Sequence, residues 1–97
     1  MHLKLPHQFT KADAVVRVKK MLTDAKPQLA GKAEIEEERW DGDVLHFGFT
    51  ANGQHISGQL TVEDSAYVVD AKLPLMLRMF EGKIEKMISE QSKQMLK

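Results

Sequence analysis

Four histidines are the side chains of this chain best suited to chemistry, because a neutral imidazole can hold a metal ion or accept a proton. Two of them, His46 and His55, fall on the same face of a predicted β-hairpin. Thr50 is the residue opposite His55, and His46 lies further along that strand, roughly 13 Å from Thr50 at about 3.3 Å per residue. Zinc needs its donor atoms about 2 Å from one point. The spacing therefore predicts a solvated polar face, with no metal site and no cofactor.

A serine nucleophile needs a histidine beside it and a carboxylate that orients that histidine. Ser57 lies two positions from His55 on one strand face. No glycine-rich turn that would expose a nucleophile or form an oxyanion hole surrounds this pair. The chain contains no cysteine, which excludes thiolate catalysis, thiolate metal sites and disulfide bonds. The residues therefore predict a protein that is not an enzyme and has no catalytic residues.

The acidic run Glu36, Glu37, Glu38 is a third candidate site, because carboxylates bind hard cations. A calcium site needs more oxygen ligands than three neighbouring carboxylates provide, and it needs a loop that gathers them. A charged edge strand that discourages pairing with other chains is the favoured explanation of this run.

The composition argues against charged partners and against membrane insertion. Fourteen basic and fourteen acidic side chains cancel, so no overall field attracts nucleic acid. The N-terminal residues lack the long apolar region of a signal peptide, and no stretch approaches the roughly 20 apolar residues that span a bilayer. A chain of 97 residues is long enough for one core. We expect a single domain, residues 1–97, in a cytoplasmic protein without a transmembrane segment.

A possible edge strand at residues 2–5 precedes the first predicted helix. Thr10 is placed to cap that helix, with Asp13 at the third helical position. Pro27 predicts that the helix ends near Lys26, because the residue before a proline avoids the helical region. The apolar stripe of this helix consists of Ala14, Val18, Met21, Leu22 and Ala25.

A β-hairpin is the strongest local prediction. Asn52-Gly53 lies between two runs that alternate apolar and polar residues, which is the typical signal for a two-residue turn. That turn sets Ala51 opposite Gln54. The alternation then places one set of apolar residues on the core face: Leu45, Phe47, Phe49, Ile56, Leu60 and Val62, followed by Tyr67, Val69, Ala71 and Leu73.

The strand before this hairpin fits its pattern poorly. The turn signal Asp41-Gly42 makes residues 33–40 the first strand of a four-stranded sheet. Its alternate glutamates would then lie beside Trp40 on the core face. A β-bulge, a longer loop or a splayed edge strand would each remove this conflict, and the pattern does not choose between them.

Four residues near the turns have predicted structural roles. Gly42 and Gly53 supply the positive φ that tight turns need, Asp43 completes the first turn, and Trp40 closes the end of the core. The element order (β)-α-β-β-β-β-α predicts an α+β domain of two layers. These are a four-stranded antiparallel sheet, with a possible fifth strand at its N-terminal edge, and two helices on one face.

The last predicted helix opens at Pro74 and has more apolar residues than one stripe accounts for. Its core stripe consists of Leu73, Leu77, Phe80, Ile84, Met87, Ile88 and Met95. Met76 lies at the edge of this stripe, whereas Leu75 and Met79 lie about 120–160° from its centre. Leu75, Met76 and Met79 are therefore the candidate surface for a hydrophobic partner. The alternative is incidental exposure of apolar side chains.

Two stretches, "HQFTKADA" and "WDGDVLHF", resemble the small bacterial family of polyhydroxyalkanoic acid system proteins. The resemblance rests on His7 before the first helix and Gly58 in a later strand. It rests further on the tryptophan turn, which consists of Trp40, Gly42, Asp43, Leu45 and Phe47. The chain departs from the family at residues 36–38, where the family tends to alternate apolar residues. The resemblance implies an association with the synthesis or storage of polyester granules, and it carries over no catalytic residue. His7 matches a family position, and its role is either functional or that of a ring packed at the helix entry.

These observations lead to a non-enzymatic accessory protein whose apolar helix face contacts a polyester granule or granule proteins. The same face would serve a homodimer. A carrier that holds a hydrophobic acyl ligand between sheet and helices is the alternative. A carrier needs an internal cavity, whereas a surface binder needs a filled core and an external apolar patch.

Overall fold

The structure, a computed structural model, describes the backbone of residues 1–95 and the side chains of residues 1–90. Its elements are β1 (His2–Pro6), α1 (Lys11–Leu29), β2 (Ala33–Asp41), β3 (Val44–Ala51), β4 (Gln54–Val62), β5 (Ala66–Lys72), α2 (Leu75–Arg78) and α3 (Glu81–Met95). The strands form one antiparallel sheet in the order β1-β5-β4-β3-β2. The predicted α+β class is confirmed. The sheet has five strands rather than four, because the possible N-terminal strand pairs with β5 along its whole length.

The predicted turn between β3 and β4 is confirmed. Asn52 and Gly53 both have positive φ, 53° and 75°, which is the backbone that a two-residue hairpin turn requires. Ala51 pairs with Gln54, so the register is the predicted one. Gly42 also has a positive φ of 62°, and it forms the tight turn between β2 and β3.

The inner face of the sheet forms the core together with α1. Leu45, Val62 and Tyr67 are buried on this face, as the alternation predicted. From the helix, Ala14 and Val18 are inaccessible to solvent and join them in one cluster. The period-two pattern of the strands and the helical stripe therefore meet along a single interface.

A β-bulge resolves the conflict in β2 for residues 33–36 and leaves Glu38 on the same face as Trp40. Ile35 pairs with Phe49 and Glu37 pairs with Gly48, so Glu36 is the extra residue between these two pairs. An extra residue reverses the alternation of side chains on its own strand. Ile35 therefore joins the inner face of the sheet, and the carboxylate of Glu36 reaches the polar face.

Helix α1 begins as predicted and ends later than predicted. The Thr10 hydroxyl accepts a hydrogen bond from the Asp13 backbone N–H at 3.2 Å, which confirms the cap. The helix continues past Lys26 to Leu29 with Pro27 inside it, so the predicted end was wrong. In the last turn, Pro27 removes only one backbone hydrogen bond, and the chain continues as helix.

The segment after Pro74 contains two helices instead of the one predicted. Helix α2 has four residues, and α3 starts at Glu81. The predicted core stripe is confirmed in part: Leu73 is buried, and Leu77 and Ile84 are half-buried. Phe80 and Met87 are exposed, and their assignment to the core was wrong. Ile88 does pack against the core, whereas Met95 lies beyond the residues whose side chains the structure describes.

Gly58 has a steric role in β4. An added Cβ at this position would lie 2.1 Å from the carbonyl oxygen of Asp70 on β5. Only a residue without a side chain permits this approach between the two strands.

No helix in the described part of the chain is long and apolar enough to cross a membrane.

Candidate functional site

The first candidate site is an exposed apolar segment, residues 75–80, which comprises α2 and the break before α3. Leu75, Met76, Met79 and Phe80 are 78%, 68%, 83% and 55% exposed. Arg78 is the one charged residue in this segment. The structure thus brings the three predicted surface residues together in one short stretch. It adds Phe80, which the periodicity had placed in the core.

Contacts on both sides hold this segment in place. Leu73, immediately before it, is buried in the core, and Leu77 within it is half-buried. Immediately after it, the Glu81 carboxylate pairs with the amino group of Met1 at 2.9 Å. The exposed side chains therefore project from a turn that is fixed at both ends.

His7 is a packed ring at the helix entry. Its Nδ1 accepts a hydrogen bond from the Phe9 backbone N–H at 3.1 Å, so the proton of the neutral ring lies on Nε2. Nε2 donates that proton to the Glu63 carbonyl oxygen, 2.8 Å away. The ring also lies 4.7 Å from the Tyr67 ring, measured between centroids. Both nitrogens are engaged by backbone groups, which leaves neither for a ligand.

The tryptophan turn is held by contacts within the fold. Trp40 is half-buried against the core, with the Lys19 ammonium 5.2 Å from its ring centroid. The Asp43 carbonyl accepts a hydrogen bond from the Val62 N–H at 2.9 Å. The carboxylate of Asp43 pairs with the Lys11 ammonium at 3.3 Å. These contacts give Trp40 and Asp43 structural roles in the fold.

The second candidate site is an apolar cavity of about 360 Å³ between α1 and the inner face of the sheet. No polar atom contributes accessible surface to its wall. The helix supplies Val18, Met21, Leu22 and Leu29; the sheet supplies Ala33, Ile35, Leu45, Phe47, Phe49, Ala51, Leu60 and Val69, with Glu37, Glu38 and Gly48 at its border. No local sequence pattern indicated this cavity.

The cavity exists because α1 and the sheet diverge along the helix. Val18 in the middle of the helix is fully buried, Leu22 one turn later is half-buried, and Leu29 at the helix end is 37% exposed. Ala33 and Ala51, which pair across β2 and β3, are too small to fill the space below the raised end. The helix end and the β2 edge thus form an open mouth.

An ion pair stands at this mouth. Glu38 faces the same side of the sheet as Trp40, which is the position that made the strand pattern unfavourable. The ammonium of Lys26 on α1 lies 3.1 Å from the Glu38 carboxylate. Glu38 lines the cavity and Lys26 reaches it from α1, and both side chains are partly exposed to solvent.

A polar cluster on the opposite sheet face results from the bulge. The Glu36 carboxylate accepts hydrogen bonds from the Thr50 hydroxyl and from His55 Nδ1, the latter at 2.9 Å. These two bonds, the Thr50 bond first, lower the pKa of Glu36 below its ordinary value. A carboxylate that orients an imidazole is one part of a catalytic triad, but both side chains are about half exposed and water competes for their bonds.

Metal-ligating side chains do not gather elsewhere in the described part of the chain. No group of three or more His, Cys, Asp or Glu residues there is arranged to hold a metal ion. His46 lies on the polar face and pairs with Gln59, apart from His55, as its spacing indicated.

Comparison with known proteins gives one match. A family model described as "Putative polyhydroxyalkanoic acid system protein" matches residues 1–96. No curated protein and no solved structure matches the chain. The matched region includes the apolar segment, the cavity, His7 and the tryptophan turn, and the family resemblance noted from the sequence is confirmed.

Proposed function

This chain belongs to the family of polyhydroxyalkanoic acid system proteins, and from that premise we propose a non-enzymatic accessory protein of polyester synthesis or storage. It contacts the granule surface, or the proteins that coat it, through the apolar segment of residues 75–80. Its place in the cell is then the cytoplasm, at the granule surface.

The exposure of this segment is the observation that supports the proposal. Four large apolar side chains within six residues face water, and contiguous apolar surface of this kind marks interaction sites. Methionine suits an irregular polymer surface because its unbranched side chain adapts to different shapes. Each Å² of apolar surface removed from water contributes about 25 cal/mol to binding. A net charge of zero supplies no competing long-range attraction to charged partners.

The polar groups support a role without catalysis. His7 is bound by backbone groups on both nitrogens, and the Glu36–His55 pair is exposed on the polar face of the sheet. Neither group borders the apolar cavity.

Co-sedimentation with poly(3-hydroxybutyrate) granules tests the proposal. We expect the double variant Leu75→Gln, Met79→Gln to bind granules about tenfold more weakly, equivalent to ~1.4 kcal/mol. Val16→Gln is the matched control, because Val16 is 62% exposed and lies on α1. It should bind like the unaltered protein. Equal binding of the double variant and the unaltered protein would refute the proposal.

The same variants distinguish the granule from a second copy of the chain. Sedimentation velocity without granules measures self-association directly. If the double substitution abolishes a dimer and leaves granule binding unchanged, the apolar segment is a homodimer interface. If the tagged protein stays dispersed in cells that accumulate polyester, contact with the granule surface and contact with its coat proteins are both excluded.

A further inference from the structure

The apolar cavity beneath α1 has the size and lining of a small-molecule site. Its volume of about 360 Å³ falls within the range of roughly 300–1,000 Å³ that is typical of such sites. Protein interiors normally pack without voids of this size. Water that enters through the mouth finds few hydrogen-bond partners on the apolar wall, so an apolar molecule displaces it favourably.

We propose that this cavity binds the hydrocarbon chain of a medium-chain carboxylic acid, with the carboxylate held at the mouth by Lys26. The chain length follows from the volume. At about 30 Å³ for each water-sized group, the cavity holds roughly twelve groups. A chain of about eight to twelve carbons fits this space, and a much longer chain leaves its end in water.

Lys26 determines the chemistry of the head group. Its ammonium has three N–H donors, and Glu38 at 3.1 Å is the partner found beside it. The side chain is half exposed, so an incoming carboxylate reaches it from solvent. The neighbouring Glu37 pairs with Gly48, so its side chain points to the polar face of the sheet, where the Arg39 guanidinium lies 3.8 Å from its carboxylate. A carboxylate at the mouth is therefore compatible with the charges around it.

This site goes beyond the granule contact and does not depend on it. The cavity uses α1 and the four strands β2, β3, β4 and β5, whereas the granule contact uses residues 75–80. The cavity also provides the internal space between helix and sheet that the carrier hypothesis requires.

Titration with decanoate, followed by NMR of the side-chain methyl groups, tests the proposal on the unaltered protein. We expect saturable shifts of the methyl signals of Met21, Leu22 and Leu45, which line the cavity. The methyl signals of Leu75 and Met79 should not move. Acetate, which has the head group without the chain, should cause no shift. Shifts confined to residues 75–80, or no saturation with decanoate, would overturn the proposal.

Ala51→Phe tests whether the hydrocarbon chain binds in the cavity, because the phenylalanine ring would fill the cavity from the sheet side. We expect it to weaken decanoate binding at least about tenfold, the factor that ~1.4 kcal/mol represents. Val16→Phe adds the same ring on the exposed side of α1 and should bind decanoate normally. The backbone NMR spectrum of each variant shows whether it is folded. A folded Ala51→Phe variant that binds like the unaltered protein would disprove the assignment.

Lys26→Met tests how much the carboxylate head group contributes to binding, apart from the hydrocarbon chain. It keeps an unbranched side chain and removes the ammonium. Decanoate affinity should fall about twofold to fivefold, as expected for a partly exposed ion pair, and affinity for 1-decanol should stay the same. Equal losses for both probes would contradict the role of Lys26. Leu75→Gln, Met79→Gln should retain decanoate binding, and Ala51→Phe should retain granule binding, so the two proposals fail separately.

Discussion

The two ends of the interface between α1 and the sheet differ in packing. At the closed end, Ala14, Val18 and Tyr67 are almost inaccessible to solvent. At the open end, Leu29 and Ile35 are 37% and 40% exposed and border a cavity. One helix and one sheet face thus contain both a filled core and a vacant space.

Local contacts account for the closed end. Thr10 caps the helix start, and the Arg17 guanidinium lies 3.9 Å from the centroid of the Phe9 ring. The Tyr67 hydroxyl donates a hydrogen bond to the Ala14 carbonyl at 3.4 Å. Burial raises the pKa of Tyr67, partly offset by the nearby charge of Arg17. The phenol therefore stays neutral and keeps this bond over the ordinary pH range.

The open end lacks equivalent contacts. Pro27 removes a backbone hydrogen bond from the last turn of α1, and Ala33 and Ala51 form a shallow floor. Stability in a folded protein is distributed unevenly, and binding regions tend to lie at its less stable end. Tight packing therefore holds α1 against the sheet at the closed end, whereas apolar side chains at the open end stay partly uncovered. Five changes, in descending order of expected effect, test this comparison.

Tyr67→Ala tests the closed end and should have the largest effect. We expect the free energy of unfolding to fall by about 3–5 kcal/mol, because a fully buried ring is lost and a cavity replaces it. Urea denaturation measures this change. Tyr67→Phe keeps the ring, removes the hydrogen bond to Ala14 and should cost about 1 kcal/mol. A loss below 1 kcal/mol for Tyr67→Ala would show that the closed end is loosely packed.

Gly53→Val tests the turn that fixes the floor of the open end. A β-branched residue at a φ of 75° is strained, and the variant should lose about 1–3 kcal/mol of stability. Gly53→Asn is the control, since asparagine tolerates positive φ, and it should unfold close to the unaltered protein. Equal melting temperatures for Gly53→Val and the unaltered protein would mean that the turn rearranges freely.

Leu22→Ala tests the packing of the open end. Replacing a leucine in a filled core with alanine lowers the free energy of unfolding by roughly 2–5 kcal/mol. Leu22 is half-buried beside an existing cavity, so it loses fewer contacts, and we expect a cost of about 1 kcal/mol. Thermal denaturation provides the measurement. A cost as large as that of Tyr67→Ala would abolish the distinction between the two ends.

Phe80→Ala tests whether the apolar segment contributes to the core. The ring is more than half exposed, so the change in stability should be about 0.5 kcal/mol or less. The helical stripe seen in the sequence predicts a far larger loss. A loss above 3 kcal/mol would mean that α2 and α3 form one helix with Phe80 buried in solution.

The smallest effect concerns Glu36 at the bulge beside the open end. NMR titration of its side chain should give a pKa below the ordinary value of glutamate, and Thr50→Val should raise it, because the Thr50 bond is the main cause of the shift. Because the pKa of Glu36 is lower in the folded than in the unfolded protein, its ionised form stabilises the fold at pH values above the unfolded-state pKa. This stabilisation is lost as the pH falls through the folded-state pKa. Since Glu36 is exposed, the unfolding midpoint should change little. An unshifted pKa would place Glu36 away from Thr50.

Much of the fold could be predicted because it depends on neighbours in the chain. Asn52 and Gly53 form the expected turn, Thr10 caps α1, and strict alternation assigned the inner face of β3, β4 and β5. Each of these features depends on a few consecutive residues and on backbone geometry that those residues favour. The family was also recognisable, because its tryptophan turn is a local motif.

The candidate sites were predicted less completely. Leu75, Met76 and Met79 were identified by their phase on a helix, and they are exposed. Phe80 was missed, since a periodic count assumes one continuous helix and Phe80 lies in the break between α2 and α3. The sequence raised a cavity between sheet and helices only as the requirement of the carrier alternative, and it named none of the lining residues, because the wall combines α1 with residues from four strands.

Tertiary structure alone decided the remaining features. The strand pattern allowed three solutions for β2, and the pairing of Ile35 with Phe49 selects the bulge. The angle between α1 and the sheet, and with it the open mouth beside Leu29, depends on how the buried residues at the closed end pack. Sequence determines which side chains are apolar and which turns form. Packing between distant elements determines how much of that apolar surface is covered, since side chains far apart in the chain must share one volume.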